Sequence, residues 1–312
     1  MTVDRRALRK SLRTNFQPGP RDYLNRAALR ARQAAHLPGY AAGRSLDRPV
    51  FIVGAPRSGT SLLYSVLRAA PVFAHWPGEA HEVWEADYHP ALRGWSSNAL
   101  TAADVEPKAA QRIRRSFFLV AGSRRRLIDK TPRNALRVSF VDAIFPDARY
   151  VYLVRDGREN VNSLINAWRT PRYRTYRLRH SVEGVDPDWW KFVLYPGWQD
   201  DSAGPLEVVC ARQWAASNEH ALRDLSAVGG RAARVRYEDL VDSPEDEVAR
   251  VLDFLEVPFD GALREKAAAV RTTPVNVVTP PERGKWRKEN PREIESIVPL
   301  ITPAMEALGY EV

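Results

Sequence analysis

The chain has 312 residues, of which 44% are hydrophobic and 10% aromatic. That is enough apolar material to bury a core, which excludes a disordered chain. The single cysteine, Cys210, excludes a disulfide framework and a cysteine-based metal site, and it favours a reducing, cytoplasmic compartment. No apolar run approaches the ~18–20 residues of a membrane span, and the basic start is followed by no apolar stretch. We therefore expect no integral membrane segment and no secretory signal.

The net charge is +9, from 47 lysines and arginines against 38 acidic residues. This excess leaves three kinds of anionic partner open: nucleic acid, a membrane surface or a small anionic molecule. Residues 1–48 are rich in arginine, and Leu8 and Leu12 stand at helical spacing. We expect this segment to be a basic helical extension packed on the main domain. A nucleic-acid-binding or lipid-binding arm is the alternative.

Short apolar runs predict four strands in the rest of the chain. They cover residues 49–54, 126–129, 149–154 and 233–237. Helices are predicted at 206–227 and from Ser243, an N-cap followed by Pro244, to Leu255. Strands that alternate with helices are typical of the α/β class with a mostly parallel sheet. Residues 170–204 break this alternation and are predicted to form an insertion or lid.

The first predicted strand runs into Gly54-Ala-Pro-Arg-Ser-Gly-Thr-Ser61 and then an apolar helix. This segment has the spacing of the phosphate-binding pattern G-x-x-x-x-G-K-[ST], except that Thr60 stands in the lysine position. A turn between a strand and a helix presents backbone N–H groups to an anion. Arg57 adds a cation, and Thr60 and Ser61 add hydroxyl donors. We expect an anion site here; a turn without a ligand is the alternative.

The missing lysine bears on the kind of ligand. In nucleoside-triphosphate enzymes that lysine reaches the β- and γ-phosphates, and an acidic group helps to hold Mg²⁺. Asp156, the acidic residue considered for a metal, is flanked by Arg155 and Arg158, a poor setting for a cation. The sequence therefore predicts a ligand with a short 5′ group and no metal.

A second basic element follows the strand at 149–154. Arg155 stands at the strand end, and Ser163 lies eight residues later on the predicted helix. Ligands of open parallel sheets bind outside the carboxyl ends of the strands. If the two strands are parallel neighbours, Arg155 and the turn at 54–61 lie on one edge. Two anion sites on one edge predict a ligand with phosphate groups at two ends; a surface salt bridge is the alternative for Arg155.

These segments resemble the P-loop sulfotransferases that use 3′-phosphoadenosine 5′-phosphosulfate (PAPS). Pro56-Arg-Ser-Gly-Thr60 is similar to their 5′-phosphosulfate loop, and Arg155 through Ser163 to their 3′-phosphate motif. Tyr237-Glu-Asp-Leu240 and Gly284-Lys-Trp286 are weaker matches. The resemblance implies a P-loop three-layer α/β/α fold with a central, mostly parallel sheet. It implies a sulfotransferase domain over 49–312, with 170–204 as its lid or acceptor insertion.

The resemblance is closer to the bacterial and tyrosylprotein branch than to the cytosolic phenol and steroid enzymes. The catalytic histidine of the cytosolic enzymes and their R-K-G-x-x-G motif have no clear counterpart here. In the tyrosylprotein branch a glutamate just after a similar glycine serves as the base, which implies Glu79; His81 and Glu82 are the alternatives. Lys130 resembles the lysine that contacts the leaving-group oxygen, where its charge would be stabilising.

The resemblance thus implies transfer of a sulfuryl group from PAPS to a hydroxyl acceptor, less readily an amine, without a metal and with adenosine 3′,5′-bisphosphate as product. The implied catalytic residues are Glu79, Lys130 and His81. The implied PAPS-binding residues are Arg57, Ser58, Gly59, Thr60, Ser61, Arg155, Ser163, Tyr237, Lys285 and Trp286.

The acceptor is expected to be a small molecule, glycan, lipid or peptide rather than nucleic acid. Its pocket is expected to be shaped by six aromatic residues, with packing under a long loop as the alternative reading. These are Trp84, Trp95, Trp189, Trp190, Tyr195 and Trp198.

Two other functions stay open at this point. A P-loop kinase for nucleotides or small metabolites is the nearest, and the absent lysine argues against it. A basic nucleic-acid-binding module is the other, and its recognition motifs are missing. The sequence predicts no oligomeric state.

Overall fold

The computed structural model of the chain describes residues 20–273, 275, 278 and 282–312, with side chains from residue 27 onward. The strands are β1 (Val50–Val53), β2 (Phe73–Ala74), β3 (Arg126–Lys130), β4 (Arg149–Val154), β5 (Tyr176–Arg177), β6 (Trp189–Trp190) and β7 (Ala232–Arg236). The helices are α1 (Pro20–Ala41), α2 (Thr60–Leu67), α3 (His81–Trp84), α4 (Pro107–Ala121), α5 (Val138–Ile144), α6 (Gly157–Arg169), α7 (Leu206–Ser226), α8 (Tyr237–Asp242), α9 (Pro244–Phe254), α10 (Gly261–Ala268), α11 (Trp286–Glu289) and α12 (Pro291–Ala307).

Five parallel strands form the central sheet in the order β2-β3-β1-β4-β7. The middle strand is β1, where Phe51 lies opposite Asp129 of β3 and Tyr150 of β4. All of β1 is buried, as expected for a strand with helices on both faces. The predicted parallel sheet is confirmed. The two-residue edge strand β2 was missed because it is too short to show a periodic pattern.

Alternate residues of the strands face two separate cores, one on each side of the sheet. Phe51 belongs to the core that also contains Trp214 of α7. Ile52 belongs to the other core, with Leu63 of α2 and Val248 of α9. The fold therefore has the three α/β/α layers that were predicted.

The helix α1 lies against α4. Nδ1 of His36 donates a hydrogen bond to the carbonyl of Leu119 at 3.0 Å, and the rings of Tyr40 and Phe118 are 5.7 Å apart. The helix predicted around Leu8 and Leu12 lies outside the described residues. The division of the chain at residue 48 stays a prediction.

The segment 170–204 contains the antiparallel pair β5–β6. Lys191, which is 2% exposed, donates hydrogen bonds to the carbonyl groups of Trp168 and Thr170. Carbonyl groups at the end of a helix lack partners within the helix, so a lysine there satisfies and stabilises them. Lys191 thus ties this segment to the C-terminal end of α6.

Candidate active site

The turn between β1 and α2 passes very close to its neighbours at two glycines. A Cβ on Gly54 would lie 2.4 Å from the carbonyl oxygen of Leu153. Gly59 has a φ of 103°, and a Cβ there would lie 2.4 Å from Cδ2 of Tyr237. Glycine is therefore required at both positions. Because α2 starts at Thr60, the free N–H groups of its first turn face this loop and favour an anion.

The side chain of Arg57 reaches from this turn to α6. Its Nε donates to Oγ of Ser163 at 3.4 Å, and its Nη1 donates to the hydroxyl of Tyr173 at 2.9 Å. Burial lowers the pKa of Arg57, and the positive charge of Arg155 lowers it further. An anion bound between these arginines would offset that repulsion.

Arg155 follows β4, and since β1 and β4 are parallel neighbours, it lies at the same sheet edge as the turn. Its Nη1 donates to the carbonyl of Arg57 at 3.2 Å, and its guanidinium carbon lies 4.4 Å from the ring centre of Tyr237. Among the described residues its buried Nε has no hydrogen-bond partner. Asn160 joins α6 to the turn by donating to the carbonyl of Pro56 at 2.9 Å.

These elements enclose a cavity of about 780 Å³ at the carboxyl ends of the strands. Two predicted site residues do not line it: Ser58 is buried within the turn, and Trp286 packs against the core. The other predicted site residues all line the cavity: Arg57, Gly59, Thr60, Ser61, Glu79, His81, Lys130, Arg155, Ser163, Tyr237 and Lys285.

The three residues predicted to be catalytic form one connected chain on the cavity wall. Lys130 is the last residue of β3 and its side chain is 5% exposed. Its Nζ donates to Oγ of Ser61 at 3.0 Å and to the carboxylate of Glu79. The other carboxylate oxygen of Glu79 lies 2.7 Å from Nε2 of His81.

The charges around Lys130, Glu79 and His81 favour an ionised Glu79 beside a neutral His81. Burial opposes the charge of Glu79, but Lys130 and the hydrogen bond from His81 outweigh it and hold the pKa of Glu79 well below 4.5. Burial, followed by the charge of Arg133, lowers the pKa of His81 below 6.5. With Glu79 ionised, the imidazole proton sits on Nε2 and is donated to the carboxylate.

The alternative base and the considered metal ligand are both engaged elsewhere. Glu82 accepts a hydrogen bond from Nε1 of Trp76 at 3.2 Å and does not line the cavity. Asp156 caps α6 by accepting from the backbone N–H of Arg158 at 2.8 Å, and it also pairs with the guanidinium of Arg158.

The segment around Lys285 is fastened to α6 by carboxylates. The N–H of Gly284 donates to Glu159 at 2.6 Å, and Nζ of Lys285 lies 3.4 Å from Glu289. Glu289 in turn accepts from the amides of Asn162 at 2.9 Å and Asn166 at 2.6 Å. These contacts place Lys285 at the cavity.

The expectation that six aromatic residues shape an acceptor pocket is wrong, because none of them lines the cavity. Trp190 and Trp198 are buried in the core, since a long insertion needs its own apolar packing, and Trp84 is buried outside the insertion against Phe51 and Phe117. The insertion lines the cavity through other residues, and the sequence analysis missed them. They are Arg172, Tyr173, Arg174, Thr175, Phe192 and Val193.

Arg133 is a further cavity residue that the sequence analysis missed. It is 8% exposed, pairs with the fully buried Glu85, and its guanidinium carbon lies 4.7 Å from the ring centre of Tyr176. Burial opposes the charge of Glu85, but Arg133 outweighs it and lowers the pKa of Glu85 to about 2. No sequence signal links partners 48 residues apart.

In the described part of the chain no helix is long and apolar enough to cross a membrane. Within the same residues no three His, Cys, Asp or Glu side chains are grouped to hold a metal ion.

Comparison with known proteins adds three similarities. Protein-tyrosine sulfotransferase A of Caenorhabditis elegans is 24% identical over 286 residues, which cover 84% of this chain and 67% of that protein. Protein-tyrosine sulfotransferase 1 of Danio rerio is 25% identical over 294 residues, covering 85% of this chain and 73% of that protein. A sulfotransferase of Mycobacterium avium has the same fold, with a TM-score of 0.62 and 13% identity over 90% of this chain and 82% of that chain.

The family match covers the centre of the structure described above. Residues 49–261 match the sulfotransferase family, from the residue before β1 to the start of α10. This range includes the turn at 54–61, Glu79, Lys130 and Arg155. The chain belongs to the sulfotransferase family.

Proposed function

We propose that this chain transfers the sulfuryl group of PAPS to a hydroxyl acceptor and releases adenosine 3′,5′-bisphosphate. The observation that carries the proposal is the pair of anion-binding groups, around Arg57 and around Arg155, that line one cavity at one sheet edge. Two such groups in one cavity suit a nucleotide with a phosphosulfate at its 5′ end and a phosphate at its 3′ end. The similarity to protein-tyrosine sulfotransferases supports the same class of reaction.

In this proposal the turn binds the 5′ end of the nucleotide. Arg57 and the hydroxyls of Thr60 and Ser61 donate to the phosphosulfate, together with backbone N–H groups that the close approach of Gly59 exposes. Arg155 and Ser163 bind the 3′-phosphate. Tyr237 and Lys285, which line the same cavity, complete the nucleotide site.

Sulfuryl transfer places developing charge on the bridging oxygen of the leaving phosphate. Positioning and electrostatic stabilisation therefore supply most of the rate, as in phosphoryl transfer. Lys130 is the cation that stabilises this oxygen. Its contact with Ser61, the last residue of the phosphate loop, supports the assignment, because it places the ammonium group beside the loop that would hold the phosphosulfate.

Glu79 accepts the proton of the acceptor hydroxyl, and His81 holds its carboxylate in place. The ion pair with Lys130 makes Glu79 a weak base, because it stabilises the ionised form. When Lys130 turns to the leaving oxygen, Glu79 loses this partner and its pKa rises. The proton acceptor therefore becomes stronger at the stage when charge builds up on the leaving group.

Thermal stability in the presence of nucleotides tests the proposal. Adenosine 3′,5′-bisphosphate at 100 times its Kd should stabilise the protein by about 2.7 kcal/mol, a rise in Tm of roughly 4 °C, without Mg²⁺. ATP with Mg²⁺ should give no comparable rise. The reverse pattern would point to a P-loop kinase and refute the proposal.

Two variants make this test specific. Arg155→Ala should abolish most of the stabilisation by the bisphosphate. Arg158→Ala is the matched control, because its guanidinium pairs with Asp156 and does not line the cavity. The reaction itself is tested by incubation with PAPS and metabolite extracts, where an acceptor gains the mass of one SO₃ group. Equal loss of stabilisation in both variants would show that the cavity is not the nucleotide site.

A further inference from the structure

The ring of Tyr237 touches both anion-binding elements. It fills the space above Gly59, where a Cβ would lie 2.4 Å from its Cδ2 and 2.8 Å from its Cε2. The guanidinium carbon of Arg155 lies 4.4 Å from the centre of the same ring. Tyr237 is thus packed between the turn at 54–61 and the arginine that follows β4.

Within the part of the chain that the structure describes, Arg155 has few other polar contacts that fix its orientation. Its Nη1 donates to the carbonyl of Arg57 at 3.2 Å, and its nearest carboxylate oxygen, on Glu159, is 3.9 Å away. The ring, 4.4 Å from the guanidinium carbon, therefore limits the orientations that the guanidinium can adopt. A guanidinium stacked on an aromatic ring keeps its N–H edges available for a phosphate.

The strand register fixes the ring beside Arg155. Val154 of β4 lies opposite Arg236 of β7, so Arg155 and Tyr237 leave the sheet side by side. Glu238 strengthens this arrangement, because its carboxylate accepts from the backbone N–H of Asp156 at 3.1 Å and from the hydroxyl of Tyr310 at 2.8 Å.

We infer that Tyr237 is a positioning residue that acts through Arg155: it orients the guanidinium for the 3′-phosphate and keeps the 3′ site at a fixed distance from the turn that binds the 5′ end. The inference rests on the proposed function, since it takes Arg155 to bind the 3′-phosphate. A role of Tyr237 at the adenine would instead affect the affinity for every adenine nucleotide equally.

The test compares two ligands that differ only in the 3′-phosphate, adenosine 3′,5′-bisphosphate and adenosine 5′-monophosphate. Calorimetry gives the Kd of both for the wild-type chain, Tyr237→Leu, Tyr237→Phe, Arg155→Ala and the double variant Tyr237→Leu with Arg155→Ala. The ratio of the two Kd values measures the preference for the 3′-phosphate. Loss of folding alone would weaken both ligands and leave this ratio unchanged.

We expect the wild-type chain to prefer the bisphosphate, and Tyr237→Leu to lose roughly tenfold of that preference while Kd for the monophosphate changes by about twofold or less. Tyr237→Phe keeps the ring and should keep the preference. In the Arg155→Ala background, Tyr237→Leu should cause no further loss of preference, because both changes remove the same interaction.

An unchanged preference in Tyr237→Leu would overturn the inference while leaving the proposed function intact. This holds whether the affinity for both ligands falls equally or does not change. A wild-type chain that binds both ligands equally would instead refute the 3′-phosphate site of the proposed function and this inference with it.

Discussion

Replacing Glu79 with glutamine removes the charge of the proposed base and keeps its size. Loss of a general base reduces turnover by about 10²–10⁴, which corresponds to roughly 3–5 kcal/mol in the activation free energy. His81 can still donate Nε2–H to the amide oxygen, so the side chain keeps one of its two contacts. We therefore expect turnover to fall by this factor in Glu79→Gln.

Nucleotide affinity should respond in the opposite direction. Unit charges 4 Å apart attract by about 4 kcal/mol at an effective dielectric constant of 20, and solvent screening at the 35%-exposed side chain of Glu79 reduces this to roughly 1 kcal/mol. The phosphosulfate must compete with this attraction for Lys130. Glu79→Gln removes the competitor, so adenosine 3′,5′-bisphosphate should bind equally well or up to about fivefold more tightly.

Steady-state turnover with PAPS and calorimetry with the bisphosphate measure the two effects separately. Glu82→Gln is the matched control, because it makes the same chemical change three residues away, on a carboxylate that contacts Trp76 and does not line the cavity. It should retain turnover within a few-fold. Wild-type turnover in Glu79→Gln would refute the base assignment. A loss of bisphosphate affinity as large as the loss of turnover would refute the competition for Lys130.

Gly59→Ala should destabilise the fold and abolish nucleotide binding, since its φ of 103° costs roughly 1–2 kcal/mol for alanine and its Cβ would clash with Tyr237. Gly78 has a φ of 87° and open space around it, so Gly78→Ala should lose only the stability that the backbone strain removes. Equal melting temperatures of Gly59→Ala and Gly78→Ala would contradict the clash. Stability should also fall as the pH drops from about 7 to about 6, because histidines kept neutral by burial take up protons in the unfolded chain near pH 6.5. Thermal melts across this range measure the loss, and a stability that rises would contradict it. The histidines concerned are His75, His81, His89, His180 and His220.

Above pH 6 the contribution of the histidines to stability can be separated from that of Asp129, whose effect has the opposite sign. Burial raises the pKa of Asp129 to about 6, so the folded chain holds a proton there that the unfolded chain releases above pH 3.8. The contribution of Asp129 to the stability of the fold falls as the pH rises, mainly between pH 3.8 and about 6. The histidine contribution has the opposite sign and extends up to pH 6.5, so it dominates in the upper part of the acid range.

The elements that could be predicted are those determined by residues close together in the sequence. The apolar run of β1, the glycine spacing of the turn and the arginine after β4 are each visible within about ten residues of sequence. Their meeting at one edge follows from the rule for parallel strands, which the pairing of β1 with β4 satisfies. Lys130 was implied by the resemblance alone, and its position at the cavity agrees with the same rule, because β3 is the neighbour of β1 on its other side.

The parts that were missed depend on contacts between distant segments. The pairing of Glu85 with Arg133 joins two helical turns through the interior, and neither residue belongs to a periodic pattern. In the insertion, composition indicated many aromatic residues but not their direction. Trp190 and Trp198 turned inward, and Tyr173 and Phe192, with ring centres 5.2 Å apart, line the cavity instead.

The phosphate loop lacks its lysine, but a lysine on the neighbouring strand contacts the loop instead. Thr60 is 3% exposed, and the cation reaches the loop from the neighbouring strand, where Lys130 lies opposite Ile52 and contacts Ser61. A lysine at position 60 would belong to the phosphate cradle alone. Lys130 contacts the loop on one side and Glu79 on the other, so a single ammonium group connects the proposed nucleotide site with the proposed base. That position suits stabilisation of a leaving oxygen during transfer better than the holding of a third phosphate. It also places part of the chain's excess positive charge at the point where the two substrates would meet.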